Sequence, residues 1–419
     1  MMKSLFSFLL LGVLFFSCIE DEGIENPVEL DGRLNISLVP RYPLQAEDFW
    51  VVIHDLEGKP IAHQQMPSGG TMGVELDDSK RYHLTTYLKT RNGDFQSELL
   101  ETYAYISVAE DITLGLSPTS APTPPVTGDF RVDMTGVEFP FGAYVTSNIG
   151  GMNHSFQLVN GHLEMTASYH QGVTDYMVVA KDQNGQTRYK MLKVTGPDAK
   201  LSYKFSDLNA YDRTMKFKRS DFSQFYFSSV ALDRTDSGFA RRYRVNGNNY
   251  GVSFDAHSEY ELGFINSFEL YEIVISGNRS ANAKTFFTYR KIGAVPASIS
   301  LPIEHTVQPQ SQLVSDFRFT KPPGVTNWFA VWDQSDRFVG PPYASLRWFV
   351  FGSESSVQLS LPAELVMLNP KLQNLANFKL ESTEIVTHSQ SYDEQMRGKL
   401  VELAKPTTLE MTSIRQSFF

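Results

Sequence analysis

One short pattern recurs along this chain and constrains its fold more than any other: an apolar strand ending in Asp, a turn, and a second strand. The first copy reads Asp48-Phe49-Trp50-Val51-Val52-Ile53-His54-Asp55-Leu56-Glu57-Gly58-Lys59-Pro60. The second reads Asp175-Tyr176-Met177-Val178-Val179-Ala180-Lys181-Asp182-Gln183-Asn184-Gly185-Gln186. A third, Trp328-Phe329-Ala330-Val331-Trp332-Asp333-Gln334-Ser335-Asp336, has Asp336 where Gly stood, and Leu270–Ile275 followed by Ser276-Gly277-Asn278 is a looser fourth. β-Branched and aromatic side chains suit a pleated, half-buried surface, and a Gly-bearing turn between two such runs closes a hairpin. About 25–30 residues on, each copy is followed by an alternating strand, at Val74/Leu76, Leu201/Tyr203, Ile299/Leu301 and Val357/Leu359. A hairpin with a returning strand, four times over, predicts four related β-sandwiches.

The rest of the chain reads the same way. Tyr82–Leu88 and Trp348–Phe351 are further short strand-like runs bounded by Gly, Pro, Asn or Asp. Helical periodicity is scarce; Pro362–Met367, Pro370–Asn377 and Ser391–Ala404 are the best helix candidates. Four prolines between Ser117 and Pro125 make a stiff, extended linker. The expected division is a leader over 1–17, a tether over 18–30, a β-sandwich over 31–116, a Pro-rich linker over 117–128, and sandwiches over 129–215, 216–310 and 311–419, the last with short helices. The first unit resembles the transthyretin-like or immunoglobulin-like modules of exported proteins, so the expected fold class is all-β, with tandem immunoglobulin-like or transthyretin-like β-sandwich domains.

Charge narrows the partners. The formal net charge is -10, which argues against a nucleic-acid partner, because phosphate binding needs a surplus of Lys and Arg. The single cysteine, Cys18, leaves the mature chain without an internal disulfide or a Cys-based metal site. It stands directly behind an apolar run, Leu5 to Phe16, which follows Lys3. That run is shorter than the roughly 20 residues a membrane span requires, and it reads as a secretory leader.

Ser17-Cys18 then resembles a lipobox, although Phe15 stands where Leu is usual. The acidic Ile19-Glu20-Asp21-Glu22 behind it resembles the surface-export signal of Bacteroidota lipoproteins. The resemblance implies a chain acylated at Cys18, anchored to the outer membrane through its N-terminal lipid, and facing the cell exterior. Each buried CH₂ of an acyl chain contributes about 0.8 kcal/mol to such an anchor.

No catalytic signature accompanies this address. A Gly-x-Ser-x-Gly elbow, a His-Glu-x-x-His helix, a phosphate-cradling loop and a dinucleotide fingerprint are all missing from the sequence. Asp182-Gln183-Asn184-Gly185 holds a fragment of a calcium loop, but no further acid follows, and an ordinary turn is the expectation. His154, His162 and His170 are expected on solvent-facing strands rather than at a metal. With 47 acidic residues, carboxylate pairs abound and none is singled out for glycoside hydrolysis. No catalytic residue, metal or cofactor is therefore assigned.

The candidate ligand site is aromatic. Alternate strand residues share a face. Aligned on the turn Asp, Phe49, Val51 and Ile53 match Tyr176, Val178 and Ala180, and also Phe329 and Val331, which makes that face the expected core. The opposite face ends in His54 and Lys181 and leans to solvent; in the last unit it carries Trp328 and Trp332, ~13 Å apart at ~3.3 Å per residue. With Tyr343 and Trp348 these form a platform suited to sugar rings. The alternative is that the tryptophans pack against a neighbouring unit or a covering loop. The reading is a non-catalytic surface protein that binds an extracellular ligand, a glycan or polymer. The alternative is a structural or accessory subunit working with an outer-membrane protein partner in a transport or surface-filament assembly.

Overall fold

The computed structural model describes residues 33–39, 46–116, 123–137, 143–149, 155–159, 162–182, 184, 186–217, 222–235, 238–247, 260–279, 282–299, 301, 307–335, 343–402 and 408–418. The leader, Cys18, the tether, His154 and residues 117–122 of the Pro-rich segment lie outside them. Within them the protein is all-β, built of several sheets with two short α-helices.

All four copies of the repeated pattern are antiparallel strand pairs: Ala46–His54 with Pro60–Gln65, Asp175–Lys181 with Thr187–Lys193, Leu270–Arg279 with Asn282–Gly293, and Asn327–Asp333 with Tyr343–Gly352. The turn Asp has a mechanical role in the first two. Asp55 accepts the Lys59 amide through its carboxylate, and Asp182 accepts the Asn184 and Gln186 amides. Asp182 is thus an ordinary turn residue. The returning strands Thr71–Val74, Lys200–Lys204 and Ser356–Gln358 belong to the second sheet of their sandwiches. Ile299 and Leu301 lie outside any strand but pack against the third core.

Four hydrophobic cores follow among the described residues. In the first module, Leu34–Leu38, Thr71–Val74 and Ile112–Leu114 face a sheet containing Ala46–His54, Pro60–Gln65, Arg81–Asn92 and Phe95–Ser107. In the second, Val126–Thr135, Ser155–Val159, His162–His170 and Lys200–Lys204 face Ala143–Ser147, Asp175–Lys181 and Thr187–Lys193. Both modules pair their first strand in parallel with their last. The third sets Arg213–Phe217 and Tyr260–Phe264 against Phe222–Thr235, Gly238–Gly247, Leu270–Arg279 and Asn282–Gly293. The fourth sets Pro309–Leu313, Asp316–Phe319 and Ser356–Gln358 against Asn327–Asp333, Tyr343–Gly352, Lys379–His388 and Leu409–Ser417.

The larger sheets of the third, fourth and first modules are one sheet of 12 strands. Asn282–Gly293 pairs antiparallel with Leu409–Ser417, from Thr285↔Gln416 to Ile292↔Leu409. Tyr343–Gly352 pairs in parallel with Phe95–Ser107, from Tyr343↔Phe95 to Phe351↔Tyr103. Modules from opposite ends of the chain are therefore neighbours, and the first module's large sheet is buried on both faces. Phe49, Val51 and Ile53 enter its own core, while Val52, Tyr87, Leu100 and Ala104 enter the fourth. Likewise Tyr176, Val178 and Ala180 line the second core, and Met177 and Val179 the third.

Helices form where sheet periodicity lapses. Ala363–Leu368 is α-helical, and 370–377 winds as two 3₁₀ turns capped by Asn369 and Asn374. Tyr392–Leu400 opens on a capping box in which Ser391 and Glu394 satisfy each other's amides. Its Tyr392, Met396 and Leu400, spaced by four residues on one helix face, enter the first module's core.

Candidate functional site

The tryptophans are not a surface. Trp328, Trp332 and Trp348 are 1%, 0% and 0% exposed. Strand pairing places Trp332 beside Trp348, Trp348 beside Leu100, Leu100 beside Tyr87, and Tyr87 beside Trp50, in one row across the sheet. The fourth module's small sheet covers part of that row. Phe317 lies 5.1 Å from both Trp328 and Trp332, and Phe378 5.8 Å from Trp348, centroid to centroid. Each indole N–H is satisfied: Trp328 donates to Glu354 O (2.5 Å), Trp332 to Gln312 O (2.8 Å) and Trp348 to Thr102 Oγ1 (2.8 Å). The sugar-platform expectation is corrected accordingly. The side chain of Tyr343 lies outside the described residues.

The assignment of faces also inverts in this module. Trp328, Ala330 and Trp332 line the core, and on the other face Val331 is buried as expected but Phe329 only half-buried. There it stacks on Phe349 (5.6 Å, 8°) and touches Phe351, which stacks on Tyr103 (5.4 Å). The Lys399 ammonium, from the helix Tyr392–Leu400, sits 3.9 Å from the Phe351 ring centroid and 4.6 Å from that of Tyr103. Burial lowers the pKa of Lys399, and Glu101 opposes the shift.

His54, expected near solvent, is fully buried, because the face it shares with Val52 packs against the fourth module. It ends a hydrogen-bond chain anchored at the Gly58 carbonyl, which can only accept. Trp348 donates to Thr102, Thr102 to Thr85 (2.8 Å), Thr85 to His54 Nε2 (2.9 Å), and His54 Nδ1 to Gly58 O (3.3 Å). With His54 neutral and its proton on Nδ1, Nε2 accepts from Thr85, and the hydroxyls run in this direction. Burial, then the neighbouring His83, pull the His54 pKa down to about 4, while the Gly58 carbonyl and Asp55 oppose. His83 is also fully buried and accepts the Tyr105 amide on Nδ1 (3.0 Å). Its Nε2 makes no hydrogen bond of ordinary geometry. Burial pulls His83 to about 4, against the backbone of Leu56 and Tyr82 and the charge of Asp55. The sequence signal for this cluster was a histidine inside an otherwise apolar run.

An open cleft of about 380 Å³ lies where the helix Tyr392–Leu400 meets the first module. Ile106, Ile112, Met396 and Leu400 supply apolar lining. Arg81 grips Asp393 with both terminal nitrogens (2.5 and 2.6 Å), and Arg397 grips Glu110 (2.8 and 2.9 Å). Their mutual bonding holds the Arg81 pKa above, and the Asp393 pKa below, its ordinary value.

Among the described residues no group of three His, Cys, Asp or Glu converges as a metal site. His162 lies 3.3 Å from Asp133 and half-exposed, and His170 Nδ1 lies 2.9 Å from the Pro124 carbonyl oxygen; neither meets the other. No helix among the described residues is long and apolar enough to cross a membrane.

No family model and no curated protein matches this chain. Among solved structures it is similar to Escherichia coli alpha-2-macroglobulin activated by porcine elastase, at 10% identity and a TM-score of 0.12, covering 90% of this chain and 47% of that one. The chain thus spans about half that protein's length, and at so low a score the likeness carries no argument.

Proposed function

We propose that this chain is a non-catalytic, lipid-anchored surface protein that works as a rigid accessory scaffold, engaging an outer-membrane protein partner rather than a soluble sugar. The 12-stranded sheet supports this reading, because it joins three sandwiches through backbone ladders. A chain meant to let its domains move would join them by small, polar contacts; here the junctions are ladders and cores. The address rests on Cys18 and the acidic residues behind it. The indoles that favoured a glycan are committed to a core.

Two measurements test the proposal. Cys18→Ala should move the chain from the membrane fraction to the soluble fraction of a host that lipidates such leaders. Brief cross-linking on intact cells should then join the anchored wild-type chain to one outer-membrane protein in constant ratio. Retention on a carbohydrate panel, with no protein partner captured, would favour the glycan reading instead.

A further inference from the structure

The 12-stranded sheet has two ends, and they are built differently. At one end Gly238–Gly247 carries Arg241, Arg242 and Arg244, and its ladder slips twice, at Ser229/Val230 and Val230/Leu232. The second module also covers it: the Arg244 amide donates to Thr146 Oγ1, and the Arg244 carbonyl accepts from Tyr144. Charge, bulges and a cover are the usual protections of an edge strand.

The other end, Pro60–Gln65, has none of these over most of its length. It contains no Lys, Arg, Asp or Glu, and its pairing with Ala46–His54 runs regularly from Trp50↔Gln65 to Ile53↔Ala62. The Met66 amide donates to Phe49 O, so alternation turns the Gln64 and Ala62 backbone groups inward and those of Ile61, His63 and Gln65 outward. Among the described residues no backbone hydrogen bond reaches those three outward groups. Ile61 is 45% exposed. Glu364, on the adjoining helix Ala363–Leu368, lies 3.3 Å from His63, and Met367 and Leu368 sit three and four residues further along that helix, both exposed.

We propose that the edge strand Pro60–Gln65 is an acceptor for an extended strand of a second protein, added antiparallel or parallel as a thirteenth strand. The proposal rests on the scaffold reading and names its partner surface. The chain already joins its modules by this mode, at the Tyr343/Phe95 and Ile292/Leu409 seams, and the free edge continues the same sheet. The side chains beside the edge set the partner's chemistry. Backbone groups of the incoming strand meet Ile61, His63 and Gln65. On the helix-bearing face it presents an apolar side chain towards Ile61 and Met367, and a basic one towards Glu364.

The test uses the full chain and a synthetic peptide of about ten residues alternating valine and threonine around a central lysine, long enough to span a typical strand. Residue-resolved hydrogen exchange should slow at the Ile61, His63 and Gln65 amides when the peptide is added, with no change at Ala62, Gln64 and Met66. His63→Pro removes one outward donor and leaves the inward ladder whole; it should weaken peptide binding by about ten-fold, the loss expected for one backbone hydrogen bond. Ile61→Lys, which places a charge on the edge without touching the backbone, should weaken it as well. Unchanged exchange at the three outward amides overturns the proposal, and so does equal binding by both variants. Concentration-dependent protection without peptide also overturns it, by assigning the edge to a second copy of this chain. A partner captured on cells while these amides stay exposed would leave the scaffold reading standing and this edge assignment refuted.

Discussion

Acid should weaken this protein through His54 and His83, and the structure gives the size of the effect. Both rings are buried and neutral in the fold, with pKa values near 4 against an ordinary 6.5. Between those limits the unfolded chain binds more protons than the folded one, so stability rises with pH across this window. It is fully present above 6.5 and drains away as pH falls towards 4. At 1.36 kcal/mol per pKa unit, each ring contributes a loss of about 2 kcal/mol between pH 7 and pH 5, and the pair about 4 kcal/mol. The cause is specific. Each added proton would place a charge in a buried site, and a charged His54 would also lie beside His83. Urea unfolding followed by tryptophan fluorescence should show the midpoint falling by about 1 M or more between pH 7 and pH 5. The control is the double variant His54→Gln/His83→Gln. It should be less stable at pH 7 yet lose most of the pH slope. His388, whose pKa burial also lowers, titrates in both proteins and cancels. Equal slopes in the two proteins would refute the argument.

Two further outcomes follow from the fourth module's contacts. Trp332→Ala should cost about 3–5 kcal/mol in chemical denaturation, the range for deleting a buried aromatic, because losing the ring opens a cavity against Phe317 and takes the indole donor from the Gln312 carbonyl. A cost below about 1 kcal/mol would return the indole to the surface. Gly58→Ala should cost about 2–3 kcal/mol or more: its φ is +77°, a Cβ there would overlap the Gln358 carbonyl, and its own oxygen accepts from both Ser360 N and Ser360 Oγ. Because this glycine ties the first module to the fourth, limited proteolysis of the variant should release them from one another sooner than in the wild type.

Much of the local structure is legible in the chain by itself. Asp followed by a Gly-bearing turn closes hairpins at Asp55 and Asp182 because the carboxylate captures amides two to four residues on. Ser391 and Glu394 announce a helix start because the box satisfies amides that no earlier turn can. Period-two alternation also selects the core-facing residues of the first two units, from Phe49 to Ile53 and from Tyr176 to Ala180. It cannot say what covers the opposite face. Val52 and His54 are buried because the first and last modules meet there, Met177 because the third module packs on the second, and the three tryptophans because the fourth module's own Phe317 and Phe378 close over them. Such pairings leave no local trace, since a strand that will be covered on both sides and one that will face water can share the same alternation. Strand, turn and helix cap were thus decided by neighbours along the chain. Which aromatic is core, which histidine is silenced and which edge stays bare were decided only by tertiary packing, as Phe317 closed over the tryptophans and Tyr343–Gly352 found Phe95–Ser107.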